Sequence, residues 1–176
     1  MIAQTVTSTT TKGLVIGLLL IILALAVYFA NIQVNGPSQW IGYVVFIGGV
    51  IWSIYSYAKQ VDYNATFGNY FAHGFKVSAT VTAIMIIYIV IFITLFPDFK
   101  EKALEQARAG MHEKNNMTEE QMTQAMEWTR KFFMVFLIGG TLVGYLILGA
   151  LAALAGAAIT KKQPNNLAVD INQIGT

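Results

Sequence analysis

Phe132 to Thr160 reads FFMVFLIGGTLVGYLILGALAALAGAAIT, 29 residues without one Asp, Glu, Lys or Arg. A bilayer hydrocarbon core of about 30 Å needs only about 20 helical residues, so this stretch spans a membrane with length to spare. It also carries small residues on two faces. Gly140 and Gly144 lie four apart on one side. Gly149, Ala152 and Gly156, with Tyr145 beside them, follow helical spacing on roughly the opposite side. Small residues let helix backbones approach closely, the main aid to association in lipid. Both faces are therefore candidate helix-packing interfaces, and the helix is expected to be central to a bundle.

Working outward, charge is absent from Gly13 to Ala58 and again from Val77 to Pro97. The chain of 176 residues is 56% hydrophobic and 11% charged, against about 25% charged in soluble domains. An integral-membrane protein of one domain follows. A net charge of +2 gives nucleic acid no electrostatic hold. The absence of cysteine excludes disulfides and thiolate chemistry.

The first apolar run, Gly13–Ala30, follows a threonine-rich tail over residues 1–12, expected to be flexible. A cleaved signal peptide is the competing reading, because Lys12 precedes the run and Ala24-Leu25-Ala26 resembles a cleavage site. A first transmembrane helix over about 13–30 is preferred. Gly36-Pro37 breaks the chain, and a second span covers about 40–58, with Trp40 and Tyr43 at one end and Tyr55 and Tyr57 at the other, as aromatic belts require.

The connection KQVDYNATFGNYFAHGFK, Lys59–Lys76, carries the candidate functional segment: Thr66, Phe67, Gly68, Tyr70, Phe71, His73, Gly74 and Phe75. The aromatic spacing, interrupted by Gly68 and Gly74, predicts a short amphipathic helix at the interface ahead of the third span. The bland reading is a set of interfacial anchors. His73 titrates near neutral pH when unperturbed, yet a single histidine there ordinarily bonds to water, backbone or headgroup. The third span, about 77–96, carries Ser78, Thr80, Thr82 and Thr94, whose hydroxyls can return to the helix backbone.

Residues 98–131 hold seven of the nine acidic residues and six of the eleven basic ones. The spacing of Asp98 with Lys102, Glu105 with Arg108 and Glu127 with Lys131 suits pairs on a helix surface. Thr118 to Gln121 matches a capping box. These features predict an extramembrane helical hairpin whose second arm continues unbroken into the fourth span, about 132–160. Among its methionines, Met122 and Met126 form a candidate partner-binding face. Packing between the arms is the plainer reading, and a soft metal the remotest. Residues 161–176 are expected to be a flexible tail.

The segment ATFGNYFAHGFKVSATVTAIMIIYIVI at residues 65–91 resembles a small bacterial membrane family, domain of unknown function 4199, found mainly in Bacteroidetes. Thr66-Phe67-Gly68, then Phe71, Gly74 and Phe75 leading into the third span, carry the resemblance, and the acidic loop before a glycine-rich last span is similar in layout. The resemblance implies four inner-membrane helices and no assigned activity.

The expected fold is therefore all-α, an integral-membrane four-helix bundle with an extramembrane helical hairpin between spans 3 and 4. No nucleophile–base pair or phosphate loop is recognisable. The spans themselves carry no ionisable side chain by these boundaries, which counts against a proton-coupled transporter. We expect a noncatalytic multi-pass protein of a bacterial inner membrane, without cofactor or metal. Its partners would be the lipid bilayer and either a second copy of itself or another membrane protein. The alternative is a small channel or transporter component.

Lys12, Lys59, Lys76, Lys161 and Lys162 flank the spans on the side of the termini, which suggests cytoplasmic termini and an extracytoplasmic hairpin. Single cysteines introduced as Ser8→Cys and Asn115→Cys check this. Asn115→Cys should react with a membrane-impermeant maleimide on intact cells and Ser8→Cys only after lysis; the reverse pattern inverts the topology.

Overall fold

The computed structural model describes residues 7–30, 40–114 and 118–160, with the backbone alone for 112–114. Within them the chain forms six helices: α1 Thr9–Phe29, α2 Trp40–Gln60, α3 Phe67–Leu95, α4 Asp98–Lys114, α5 Glu119–Lys131 and α6 Phe133–Ile159. Four of these, α1, α2, α3 and α6, are long and apolar enough to cross a bilayer. They leave Leu14, Leu18, Ile22, Trp52, Ile87, Val135, Phe136 and Leu151 on the outer surface. Water would penalise so much exposed apolar area, whereas lipid tails solvate it at no cost. The protein is a multi-pass membrane protein.

The helix boundaries differ from the sequence reading in three places. First, α1 begins inside the threonine tail. The Ser8 hydroxyl accepts a hydrogen bond from the Thr11 amide at 3.1 Å, satisfying one of the free amides of a helix start, so residues 9–12 are helical. Second, residues 67–76 do not form a separate interfacial helix; they are the first turns of a continuous 29-residue α3. The Thr66 hydroxyl accepts from the Asn69 amide at 3.3 Å and starts it. A glycine inside a helix costs only about 1 kcal/mol relative to alanine, and the close packing at Gly74 offsets that cost. Third, α5 and α6 are not one unbroken rod. Phe132 takes φ −104° and ψ 16° between them. Its amide still bonds the Trp128 carbonyl at 3.0 Å, and its carbonyl accepts from Phe136 at 2.9 Å, so the interruption is one residue long. It coincides with the stacking of the Phe132 ring on Trp128, 5.3 Å between centroids. The expected tail over 161–176 lies outside the described residues.

The helices pack as two compact units. The first contains α1, α2, α3 as far as Val81 and α6 from Leu146. Its core is a stripe on α2, Phe46, Val50, Ile54 and Ala58, each fully buried. Ile16 and Leu20 of α1, Val77 and Val81 of α3, and Ala152, Ala153 and Ala157 of α6 close over it. Glycines set the approach distances. A Cβ on Gly74 would lie 2.6 Å from Ile54 Cδ1 and 3.0 Å from Ala153 Cβ. A Cβ on Gly156 would lie 2.7 Å from the same Ile54 atom, and one on Gly149 would strike Ser78 Cβ. Direction follows from such contacts: with Lys12 beside Ser53 and Ile16 against Gly49, Gly74 against Ile54, and Gly149 and Gly156 against Phe46 and Ile54, α2 runs antiparallel to α1 and α3 and parallel to α6.

The second unit contains α3 from Thr82, α4, α5 and α6 as far as Tyr145. Phe92 rings pack on Phe96 at 5.0 Å and Phe99 at 5.3 Å around the bend at Pro97. The arms α4 and α5 close over Leu104 and Met122, 5% and 3% exposed. The capping box at α5 is complete, with the Thr118 amide donating to Gln121 Oε1 and the Gln121 amide to Thr118 Oγ1. Among the described residues the along-helix ion pairs expected from spacing do not form. Instead Arg130 reaches across the arms to Glu101 at 2.6 Å, a partner on α4 that the same charge finds without bending back along its own helix.

Arg130 holds the Glu101 carboxyl below its ordinary value of 4.5, chiefly through this hydrogen bond. A carboxylate whose pKa is depressed by folding contributes stability above its unfolded pKa and loses it as pH falls through the lower, folded value. Both side chains are exposed, so the contribution is small. Glu101→Gln should lower amide-exchange protection in α4 and α5 at pH 7. The difference from wild type should disappear as the pH is taken well below 4.5; a difference that persists there would assign it to packing.

Candidate functional site

In the first unit the polar residues converge on one ring. Ser53, Tyr57 and Gln60 recur at helical spacing on α2, and Tyr70 and His73 do so on α3. The His73 imidazole lies flat on Tyr57, 4.3 Å between centroids and 9° from parallel. Tyr70 meets Tyr57 edge-on at 6.1 Å. Lys12 Nζ stands 5.9 Å from the centroid of the same ring and donates to the Ser53 carbonyl at 3.3 Å. Lys12 is 2% exposed, Tyr70 1% and His73 7%.

Lys12 reaches this position because of its register. Lys12, Gly13, Ile16, Gly17 and Leu20 form the buried stripe of α1, and the absence of a side chain at Gly13 lets α1 press on α3. A Cβ there would come within 2.7 Å of Thr80. On the other side, α2 is stopped in time to return α3 beside it. Asp62 and Tyr63 take φ 49° and 56°, the left-handed region that costs most side chains about 1–2 kcal/mol. The Tyr63 amide bonds the Ala58 carbonyl at 2.8 Å and the Asp62 amide the Lys59 carbonyl at 3.3 Å. This is the double bond of a Schellman cap, in which Asp62 occupies the position usually taken by glycine.

The electrostatics are one-sided. Lys12, Lys59 and Lys76 belong to this unit, with Asp62 as the carboxylate among its described residues. No carboxylate pairs with Lys12 among the described residues. Its ammonium has three donors, one of which meets Ser53 and another the π-face of Tyr57. Among the described residues three buried side-chain atoms of this unit have no hydrogen-bond partner: Tyr70 Oη, His73 Nε2 and Gln60 Oε1, the last one turn along α2 from Tyr57. Gln60 uses its amide nitrogen to donate to Thr7 at 3.2 Å. An unmatched buried polar atom costs about 1–3 kcal/mol. Such a group suits holding a small polar molecule. Among the described residues no three His, Cys, Asp or Glu lie close enough to hold a metal ion.

The segment Thr66–Phe75 is thus divided by the helix. Thr66 caps it; Tyr70, His73 and Gly74 turn inward, and Phe67, Gly68 and Phe75 outward, with Phe71 half-buried against Phe75 at 5.9 Å. His73, expected at a wet interface, is buried because it lies one turn before Val77 on the inner stripe. The spans also contain ionisable side chains after all, since α1 and α3 extend far enough to include Lys12, His73 and Lys76.

On α6 the two small-residue faces differ. Gly149, Ala152 and Gly156 are buried in the first unit. Nothing lies within 4 Å of where a Cβ would stand on Gly140 or Gly144. In the hairpin, Leu104 and Met126 line a cleft of about 270 Å³ ringed by Glu101, Glu105, Glu127, Arg108 and Arg130. Met122 is buried between the arms, so of the pair taken as a partner-binding face Met126 alone reaches that cleft.

A family described as "Protein of unknown function (DUF4199)" matches residues 11–162. No curated protein and no solved structure matches the chain.

The approach of α2 and α3 that assembles the cluster can be tested at its tightest point. Gly74→Ala should destabilise the protein in micelles by about 1–3 kcal/mol through overpacking. Ile54→Val removes the atom that the new methyl strikes, and should recover part of that loss when combined with it. Strictly additive costs would show that this contact is not the limiting one.

Proposed function

The chain belongs to the DUF4199 family of proteins of unknown function, and we propose that it is a noncatalytic multi-pass membrane protein that acts by associating with a second copy of itself. The observation that supports this is the uncovered face at Gly140 and Gly144. Along the same helix, glycines at the other face are filled by Ser78 and Ile54. Where nothing fills the space, a second helix can approach closely, and the small-xxx-small spacing is the one that right-handed helix pairs use in lipid. Exposed Phe136 and Val143 flank the two glycines and offer van der Waals contact. The same face on two copies is self-complementary about a two-fold axis. In this reading the protein lies in a bacterial inner membrane with cytoplasmic termini, the side on which Lys12, Lys59 and Lys76 fall.

A second reading, a small channel or transport component, draws support from a separate observation. A buried ammonium and a buried imidazole lie at one end of the four spans, and intramembrane ionisable groups commonly mark a solute path.

Gly144→Leu separates the two readings. Self-association should weaken about tenfold or more, with native mass in mild detergent falling from dimer to monomer while helicity by circular dichroism is retained. An unchanged mass would overturn the association reading and leave the second standing.

A further inference from the structure

We propose that the group around Tyr57 is a binding site for a small oxyanion of the phosphate class, either free in solution or carried by a lipid headgroup. This goes beyond the association reading and does not depend on it. Two observations converge. Lys12 is buried without a carboxylate partner among the described residues, and one donor of its ammonium remains beyond the Ser53 carbonyl and the Tyr57 ring. Tyr70 and His73 are more than nine-tenths buried, flank the same ring, and have Tyr70 Oη and His73 Nε2 unmatched. Both atoms can donate, the hydroxyl by rotation and the imidazole in its Nε2–H tautomer.

A cation would meet the buried Lys12 ammonium, and the one carboxylate of this unit among the described residues, Asp62, is exposed, so charge argues against it. A neutral solute would leave Lys12 uncompensated. An anion matches the charge, and one that keeps a hydroxyl can also donate to Gln60 Oε1, the unmatched acceptor of the group. Inorganic phosphate and the headgroups of phosphatidic acid and phosphatidylglycerol meet both requirements. Sulfate meets the first alone.

The test uses the full-length protein purified in mild detergent. Inorganic phosphate, titrated against chloride at constant ionic strength, should raise the melting temperature, and sulfate should do so less. In the lipid arm, native mass spectrometry after incubation with phosphatidic acid, phosphatidylglycerol or phosphatidylcholine should retain the first two and not the third. A response in the phosphate arm alone identifies a free anion, and one in the lipid arm alone a headgroup. Lys12→Met keeps the length of the side chain without its charge and should weaken the response at least tenfold. Should that variant not fold, Tyr70→Phe removes a single oxygen and should weaken the response severalfold. No response in either arm, or variants that respond as wild type does, would overturn the proposal and assign the unmatched atoms to ordered water.

Discussion

Close backbone approach at a few glycines is the constraint on which the first unit depends. In water, helices associate because burial removes apolar area from solvent; in lipid that driving force is gone, and packing must supply the attraction. A side chain at Gly74, Gly149 or Gly156 would occupy space already held by Ile54 or Ser78. The fully buried stripe of α2 therefore works less as a hydrophobic core in the aqueous sense than as a surface shaped to receive three neighbours. The polar group around Tyr57 exists at the end of that arrangement, because the same approach that seats Ile54 against Gly74 brings Tyr57 onto His73 one turn away.

The four spans were legible because length and the absence of charge are local properties of the chain. The capping box at Thr118 was legible for the same reason, its partners lying three residues apart. The inward face of α6 was readable as a stripe of small residues, but the sequence could not tell which of its two faces would be filled. Lys12 escaped notice because a lysine ahead of an apolar run looks like a flank. The signal was present in Ser8, which starts the helix a turn earlier, and in the spacing from Lys12 to Ile16 and Leu20. The ion pair between Glu101 and Arg130 was not readable, since 29 positions separate its members and hairpin register decides it.

The two units differ in how they treat charge. In the hairpin, acids and bases share exposed helical surfaces, and the ion pair of Arg130 with Glu101 is freely solvated, with side chains 62% and 57% exposed. Such charges keep an extramembrane element soluble and contribute little else. In the first unit a single ammonium is withdrawn among aromatic rings, where solvation is poor and each hydrogen bond matters more. Charge density alone would direct attention to the hairpin; the burial of Lys12, Tyr70 and His73 directs it elsewhere.

The tight cap after α2 bears on how the protein is made. Six residues separate Gln60 from Phe67, whereas α6 follows α3 only after the whole hairpin has been synthesised. Short connections cost little entropy to close, and chains assemble from the amino-terminal end during synthesis. The second and third spans can thus leave the ribosome as a paired insertion unit. The groove between Ile54 and Ser78 is then standing in the bilayer before the last span arrives, and that helix docks into a template rather than helping to build one.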